Sequence, residues 1–136
     1  MKVQVNWKEA LAFDAIGEDG HTVRIDTSVE SGGLNSGMNP KRLLLASLCG
    51  CSAIDVIEIL NKMKVAFTKL EVTAEAEQTD TVPKTFTHID LVYHCDVQAE
   101  DEDKLKRAVS LSMDKYCGVS AMLAKHCPIN YSTKLI

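Results

Sequence analysis

Five cysteines, at positions 49, 51, 95, 117 and 127, are the residues of this chain best suited to chemistry beyond packing. Their number is odd and no two have C-x-x-C spacing, so neither a complete disulfide framework nor a zinc knuckle accounts for them. Cys49 and Cys51 are two positions apart, which on a helix places them roughly 200° apart around the axis. They cannot pair with each other while such a helix holds. Cys95 falls on the apolar side of a strand pattern, and Cys127 sits between His126 and Pro128; both suit a small buried side chain. Cys51 and Cys117 remain as candidates for thiol chemistry, although each also suits a core position. Cys117 follows Lys115 at the start of a short helix, where free backbone N–H groups and a cation favour a thiolate. Cys51 lies deep inside its helix with Asp55 at i+4, so its activation must come from tertiary neighbours. Local electrostatics alone makes Cys117 the more easily ionised thiol.

The elements that must position these thiols are legible from hydrophobic spacing. Val3, Val5 and Trp7 alternate with polar residues, as do Leu11, Phe13 and Ala15, and Val23 and Ile25 follow a Glu18-Asp19-Gly20 turn. This period of two predicts a three-stranded antiparallel meander of half-buried strands. Ser31 to Gly37 reads as a flexible connection, and Asn39-Pro40 as a helix N-cap followed by proline at the first helical position. From Leu43 to Leu60, 13 of 18 residues are apolar, the exceptions being Ser47, Gly50, Ser52, Asp55 and Glu58. A helix this apolar needs burial on most sides. A small sheet covers one face only, which predicts that a second copy of the chain covers the rest. The helix is expected to reach about Lys64.

Leu70 to Ala76 and Ile89 to Val97 alternate again and predict a hairpin. Ala99 to Asp103 forms an acidic helix entry ahead of Leu105, Ala108, Val109 and Ser112 at helical spacing. A short helix from about Cys117 to Lys125 stops at Pro128, and Ile129, Tyr131, Thr133 and Leu135 form a closing strand. His21, His88, His94 and His126 show no metal-ligand spacing with the cysteines and read as solvated surface. Asp55 and Glu58 share a helix side with Ser47 and Cys51, which makes them candidate site residues or a solvated stripe. Tyr116 reads as a packing residue.

The chain has 136 residues with 15 Lys and Arg against 19 Asp and Glu, a net charge of −4. Such a length supports a real core in a single domain, 1–136, without disulfide staples. The acidic balance argues against nucleic acid and membrane surfaces, which recruit basic faces. No signal-peptide pattern opens the chain, and the most apolar stretch, Leu43 to Ile54, is interrupted and too short to span a bilayer. A cytoplasmic protein is expected, with its thiols kept reduced.

The segment from Asn39 to Cys51, NPKRLLLASLCGC, leading into a long apolar helix, resembles the first cysteine motif of the osmotically inducible protein C and organic hydroperoxide resistance (OsmC/Ohr) superfamily. Cys117-Gly118-Val119-Ser120 resembles the second, and the order of elements agrees over nearly the whole chain. The resemblance implies an α+β fold, with antiparallel sheets wrapped around a long central helix, in an intertwined homodimer with sites at the dimer interface. It implies that Cys51 is peroxidatic, attacking an organic hydroperoxide to give an alcohol and a sulfenic acid. Cys117 would then resolve that acid to a disulfide, which an external dithiol reduces. Neither cofactor nor metal is implied. Family members carry Glu where this chain has Lys41, and their activating Arg comes from the first N-terminal loop, here the acidic Gly17 to Gly20. Lys41, Arg42 and the more distant Arg24 are the cations nearest in sequence. The alternative function is a redox-inert dimer that binds an apolar small molecule, with its cysteines serving as packing.

Overall fold

A computed structural model describes all 136 residues and divides them into two compact units, Met1–Leu44 and Leu45–Ile136. The first holds the expected meander: β1 (Val3–Glu9), β2 (Ala12–Gly17) and β3 (Thr22–Ile25), antiparallel in the order β1-β2-β3. Leu11 falls outside the strands, because the chain reverses at Ala10, a non-glycine residue at φ 46°. The Trp7 indole N–H caps this reversal by donating to the Ala10 carbonyl at 3.0 Å. Register places Val3, Val5, Trp7, Phe13, Ala15, Val23 and Ile25 on one sheet face. That face is more open than half-buried, with Val3, Val5 and Trp7 at 62%, 53% and 66% exposure. Alternation marked the apolar side correctly, and Phe13, Ala15 and Ile25 on it are half-buried while the β1 residues stand open.

The glycine-rich segment after β3 is not a loose tether. The buried Asp26 carboxylate accepts hydrogen bonds from the Thr27, Leu34 and Ser36 amides and, at 2.6 Å, from the Ser36 hydroxyl. These bonds, chiefly the Ser36 hydroxyl, hold its pKa at about 2. Gly33 packs so tightly that a Cβ there would lie 2.3 Å from the Thr27 carbonyl oxygen.

The long helix α1 spans Pro40–Lys62. Asn39 caps it as expected, its Oδ1 accepting the Arg42 amide at 2.9 Å. The helix gives way to left-handed Lys64 (φ 57°), and the Val65 amide returns to the Leu60 carbonyl. At 23 residues α1 is long and apolar enough, by length and composition, to cross a membrane, which corrects the expectation of a stretch too short to do so. The stretch judged too short ends at Ile54, while the helix itself, expected to reach about Lys64, ends at Lys62 with Asp55 and Glu58 inside it.

In the second unit, β4 (Leu70–Gln78), β5 (Phe86–Cys95) and β6 (Ile129–Leu135) form a sheet with β5 in the centre. Its mixed α+β class is as expected. The departure is β6, which runs parallel to β5. The reason is the connection: the chain between them folds into α2 (Glu102–Leu111) and α3 (Gly118–Leu123), a helical crossover of the kind that parallel neighbours require. Leu48, Val56 and Leu60 of α1 pack in one core with Ile89, Leu91 and Tyr93 of β5 and Leu105, Ala108 and Val109 of α2.

Candidate functional site

Between α2 and α3 the chain makes one π-helical turn, Ser112–Tyr116. Its wider coil closes when the Cys117 amide donates to the Ser112 carbonyl at 2.8 Å. Such turns interrupt α-helices most often at functional positions. Here the turn sets Cys117 down as the N-cap of α3, its sulfur accepting the Ser120 amide at 3.3 Å.

The structure brings Cys51 and Cys117 together. From 66 positions apart in sequence, their side chains become neighbours, close enough for Cys51 to influence the Cys117 thiol. Cys117 is buried and Cys51 half-buried. Burial, and then the neighbouring Cys51 side chain, push the Cys117 thiol up to about 11. This corrects the local reading, which made Cys117 the more easily ionised thiol. A helix of six residues offers a weak dipole, desolvation outweighs its N-cap amide, and the Lys115 ammonium lies over the Tyr116 ring, 5.3 Å from its centroid.

Polar side chains surround the pair. The Tyr93 hydroxyl donates to Ser52 Oγ at 2.7 Å, with the Met113 sulfur at 3.2 Å, and Ser52 Oγ donates to the Leu48 carbonyl at 2.9 Å. Burial, opposed by the Ser52 bond and reinforced by Cys117 and Cys49, pushes the phenol up to about 12. The fully buried Ser112 hydroxyl is shared between Asp55 Oδ2 at 2.9 Å and the Ser52 carbonyl at 3.2 Å. Ser120 Oγ donates to the Met113 carbonyl at 3.3 Å.

The other candidates lie in varied places. Cys49 is half-buried and desolvation raises its pKa; Cys95 and Cys127 are buried and desolvated likewise. Asp55 is thus tied into the network, and Glu58 pairs with Lys62 at 3.9 Å on the surface. Both line a cavity of about 420 Å³ with Ile59, Met63, Leu111 and the exposed Tyr116. Arg24 is engaged by Asp14 at 2.6 Å across β2 and β3. Arg42 borders a small polar cavity with Thr27, Ser28, Ser31 and Asn35. Of the histidines, His126 is half-tethered rather than free in solvent, its Nε2–H donating to the Phe86 carbonyl at 3.0 Å.

Sequence reasoning missed Tyr93, Ser52, Ser112 and Met113 as site residues. A signal existed for two of them: Ser52 and Ser112 are polar residues at positions where the helical spacing calls for apolar ones. Tyr93 and Met113 carried none, because an apolar strand face and a helix accommodate them as packing.

Comparison with known proteins accords with this architecture. The family described as OsmC-like protein matches residues 33–132. Protein YhfA of Escherichia coli (strain K12) is 34% identical over 136 residues, covering 100% of this chain and 98% of that protein. The crystal structure of a protein from Aquifex aeolicus VF5 superposes with a TM-score of 0.83 at 26% identity, covering 99% of this chain and 95% of the other. The organic hydroperoxide resistance protein OhrB of Bacillus subtilis shares the fold at a TM-score of 0.69 and 15% identity, each chain 98% covered.

Proposed function

The chain belongs to the OsmC-like protein family, and from that premise we propose that it is a thiol-dependent peroxidase that reduces organic hydroperoxides through a Cys51/Cys117 disulfide cycle. What supports this reading is the proximity of the Cys51 and Cys117 side chains, with burial raising the Cys117 thiol. Cys51, the less buried of the two, is the attacking sulfur in this reading. The Cys51 thiolate displaces alkoxide from the terminal peroxide oxygen; the alkoxide takes up a proton and leaves as alcohol, and Cys51 becomes a sulfenic acid. The Cys117 sulfur, giving up its proton, attacks the Cys51 sulfur, hydroxide leaves as water, and a disulfide remains. An external dithiol restores both thiols by exchange. The role is one in oxidative stress defence, in a cytoplasmic compartment that keeps the resting thiols reduced.

We further propose that the 136 residues act as one domain in a homodimer. Support comes from α1, which leaves Leu44, Ile54 and Ile57 exposed at 46%, 61% and 39% while Leu48, Val56 and Leu60 are fully buried. A helix so divided is a core helix with a second apolar face to cover, and that division favours an interface over a bilayer. Sedimentation showing a stable monomer at micromolar concentration would overturn the dimer.

The decisive experiment is thiol counting after addition of cumene hydroperoxide. Two thiols per subunit are expected to disappear, with peptide mapping placing the new disulfide at Cys51–Cys117 and not at Cys49. Cys51→Ser abolishes fast peroxide consumption. Cys117→Ser reacts once and leaves a Cys51 sulfenic acid that a dimedone probe traps. Retention of all five thiols would favour the second reading, a redox-inert binder of an apolar small molecule. The observation on that side is Arg24, whose guanidinium is engaged by Asp14.

A further inference from the structure

We propose that Asp55 and Ser112 are positioning residues for the disulfide-forming step: together they brace the π-helical turn so that Cys117 stands within reach of Cys51. The inference rests on the thiol cycle above and concerns its second half only.

The geometry forms a closed ring. One turn of α1 leads from Cys51 to Asp55. The Asp55 carboxylate accepts the Ser112 hydroxyl, and the Ser112 carbonyl accepts the Cys117 amide, both bonds being at or under 2.9 Å. The neighbouring Cys117 and Cys51 thiols close the ring. Ser112 is the junction: its side chain holds α1 while its main chain holds the cysteine. No other residue of the turn makes both connections. Because Ser112 has no solvent exposure, removing its hydroxyl leaves the Asp55 oxygen without that donor inside the turn.

Asp55 acts through placement and not through its charge. Its carboxylate meets the turn as the acceptor of the Ser112 hydroxyl at 2.9 Å. An uncharged acceptor of the same shape therefore serves. This separates the brace from an electrostatic role, and it separates Asp55→Asn from Asp55→Ala. A disulfide demands Cα atoms within about 4.4–6.8 Å and a defined dihedral, so a turn free to drift spends most of its time outside the reactive range.

The test uses the full reduced protein and one equivalent of Ellman's reagent, which needs no peroxide. The first thiolate to attack releases one thionitrobenzoate and becomes a mixed disulfide. The second thiol attacks that sulfur, expels the second thionitrobenzoate and closes the protein disulfide. Ser112→Ala is expected to slow the second release by roughly 10- to 100-fold, the scale on which a misplacement of about 1 Å acts, and to leave the first within about twofold. Asp55→Ala slows it less, since Ser112 keeps the Ser52 carbonyl as acceptor, and Asp55→Asn restores the wild-type rate. Ser112→Thr, which keeps the hydroxyl, serves if the alanine variant does not fold. A second release at the wild-type rate in both alanine variants would overturn the brace, as would a slow release in Asp55→Asn equal to that in Asp55→Ala. Failure of cumene hydroperoxide to consume thiols while these Ellman rates differ would count against the peroxidase reading alone.

Discussion

β1 and β5 carry the same signal in sequence and meet opposite fates. Val3, Val5 and Trp7 alternate as cleanly as Ile89, Leu91 and Tyr93, yet the first three are more than half exposed and the second three are at 1% or less. The difference lies in what each strand has beside it. In the second unit α1 and α2 lay apolar side chains on β5. The meander, within its own unit, has no helix to lay such a layer on Val3, Val5 and Trp7. Alternation is a property of one strand; burial is a property of a pair of surfaces, and only the first is written in a short stretch of sequence.

The comparison can be broken most directly by truncation. Leu91→Ala is expected to lower stability by about 2–5 kcal/mol in urea unfolding, the range for emptying a sealed core site. Val5→Ala, its counterpart in the meander, is expected to cost less than about 0.5 kcal/mol. An equal cost at both would show that a second copy seals the meander face.

Effects of pH rank next and differ between the two regions. Cys117, raised to about 11, and Tyr93, raised to about 12, both belong to the second unit. Their folded values exceed unfolded values of roughly 8.5 and 10, so their contribution is complete below those values and is lost as pH rises through 11 and 12. Thermal melts are expected to show an alkaline decline that Cys117→Ser moves toward higher pH. Asp26, in the first unit, runs the other way. Its folded value of about 2 lies below an unfolded value of roughly 3.9, so its contribution is present above pH 4 and is lost as pH falls toward 2. Asp96, held at about 2 by the Thr68 hydroxyl and the Lys69 and Thr68 amides, adds the same acid slope in the second unit. Asp26→Asn should therefore flatten part of the acid decline and leave the alkaline one untouched.

The smallest effect is expected at the start of α1. Asn39→Ala removes the cap on the Arg42 amide and should cost about 1 kcal/mol, read as a shift in the urea midpoint. A cost near zero would mean that Pro40 and the following turn define the helix start unaided.

Much of this architecture was legible beforehand because its signals are local. Asn39-Pro40, the Glu18-Asp19-Gly20 turn and the alternations of β4, β5 and β6 each lie within a few residues of what they specify. The direction of β6 was not legible, since it depends on the path of the whole segment from Cys95 to Ile129. At the site, the pairing of Cys51 with Cys117 came from resemblance to a family, and no rule of spacing yields it. How readily Cys117 ionises depends on burial, and the helix-terminus argument for it failed because it counted the backbone dipole and omitted the loss of water. Ser112 escaped notice for a related reason: its two connections run to α1 and to Cys117, and neither partner adjoins it in sequence.

Asp26 stitches together a stretch, Ser31-Gly32-Gly33-Leu34-Asn35-Ser36-Gly37, whose composition is that of a spacer. Four main-chain and hydroxyl donors converge on one carboxylate, so the stretch behaves as a clasp that a proton can undo. Disulfides fasten small extracellular loops by a bond that needs an oxidant to close and a reductant to open. This clasp needs neither. It also makes the spacer-like composition a poor guide for protein engineers: an insertion placed among those glycines would prise open the carboxylate's contacts instead of lengthening a tether.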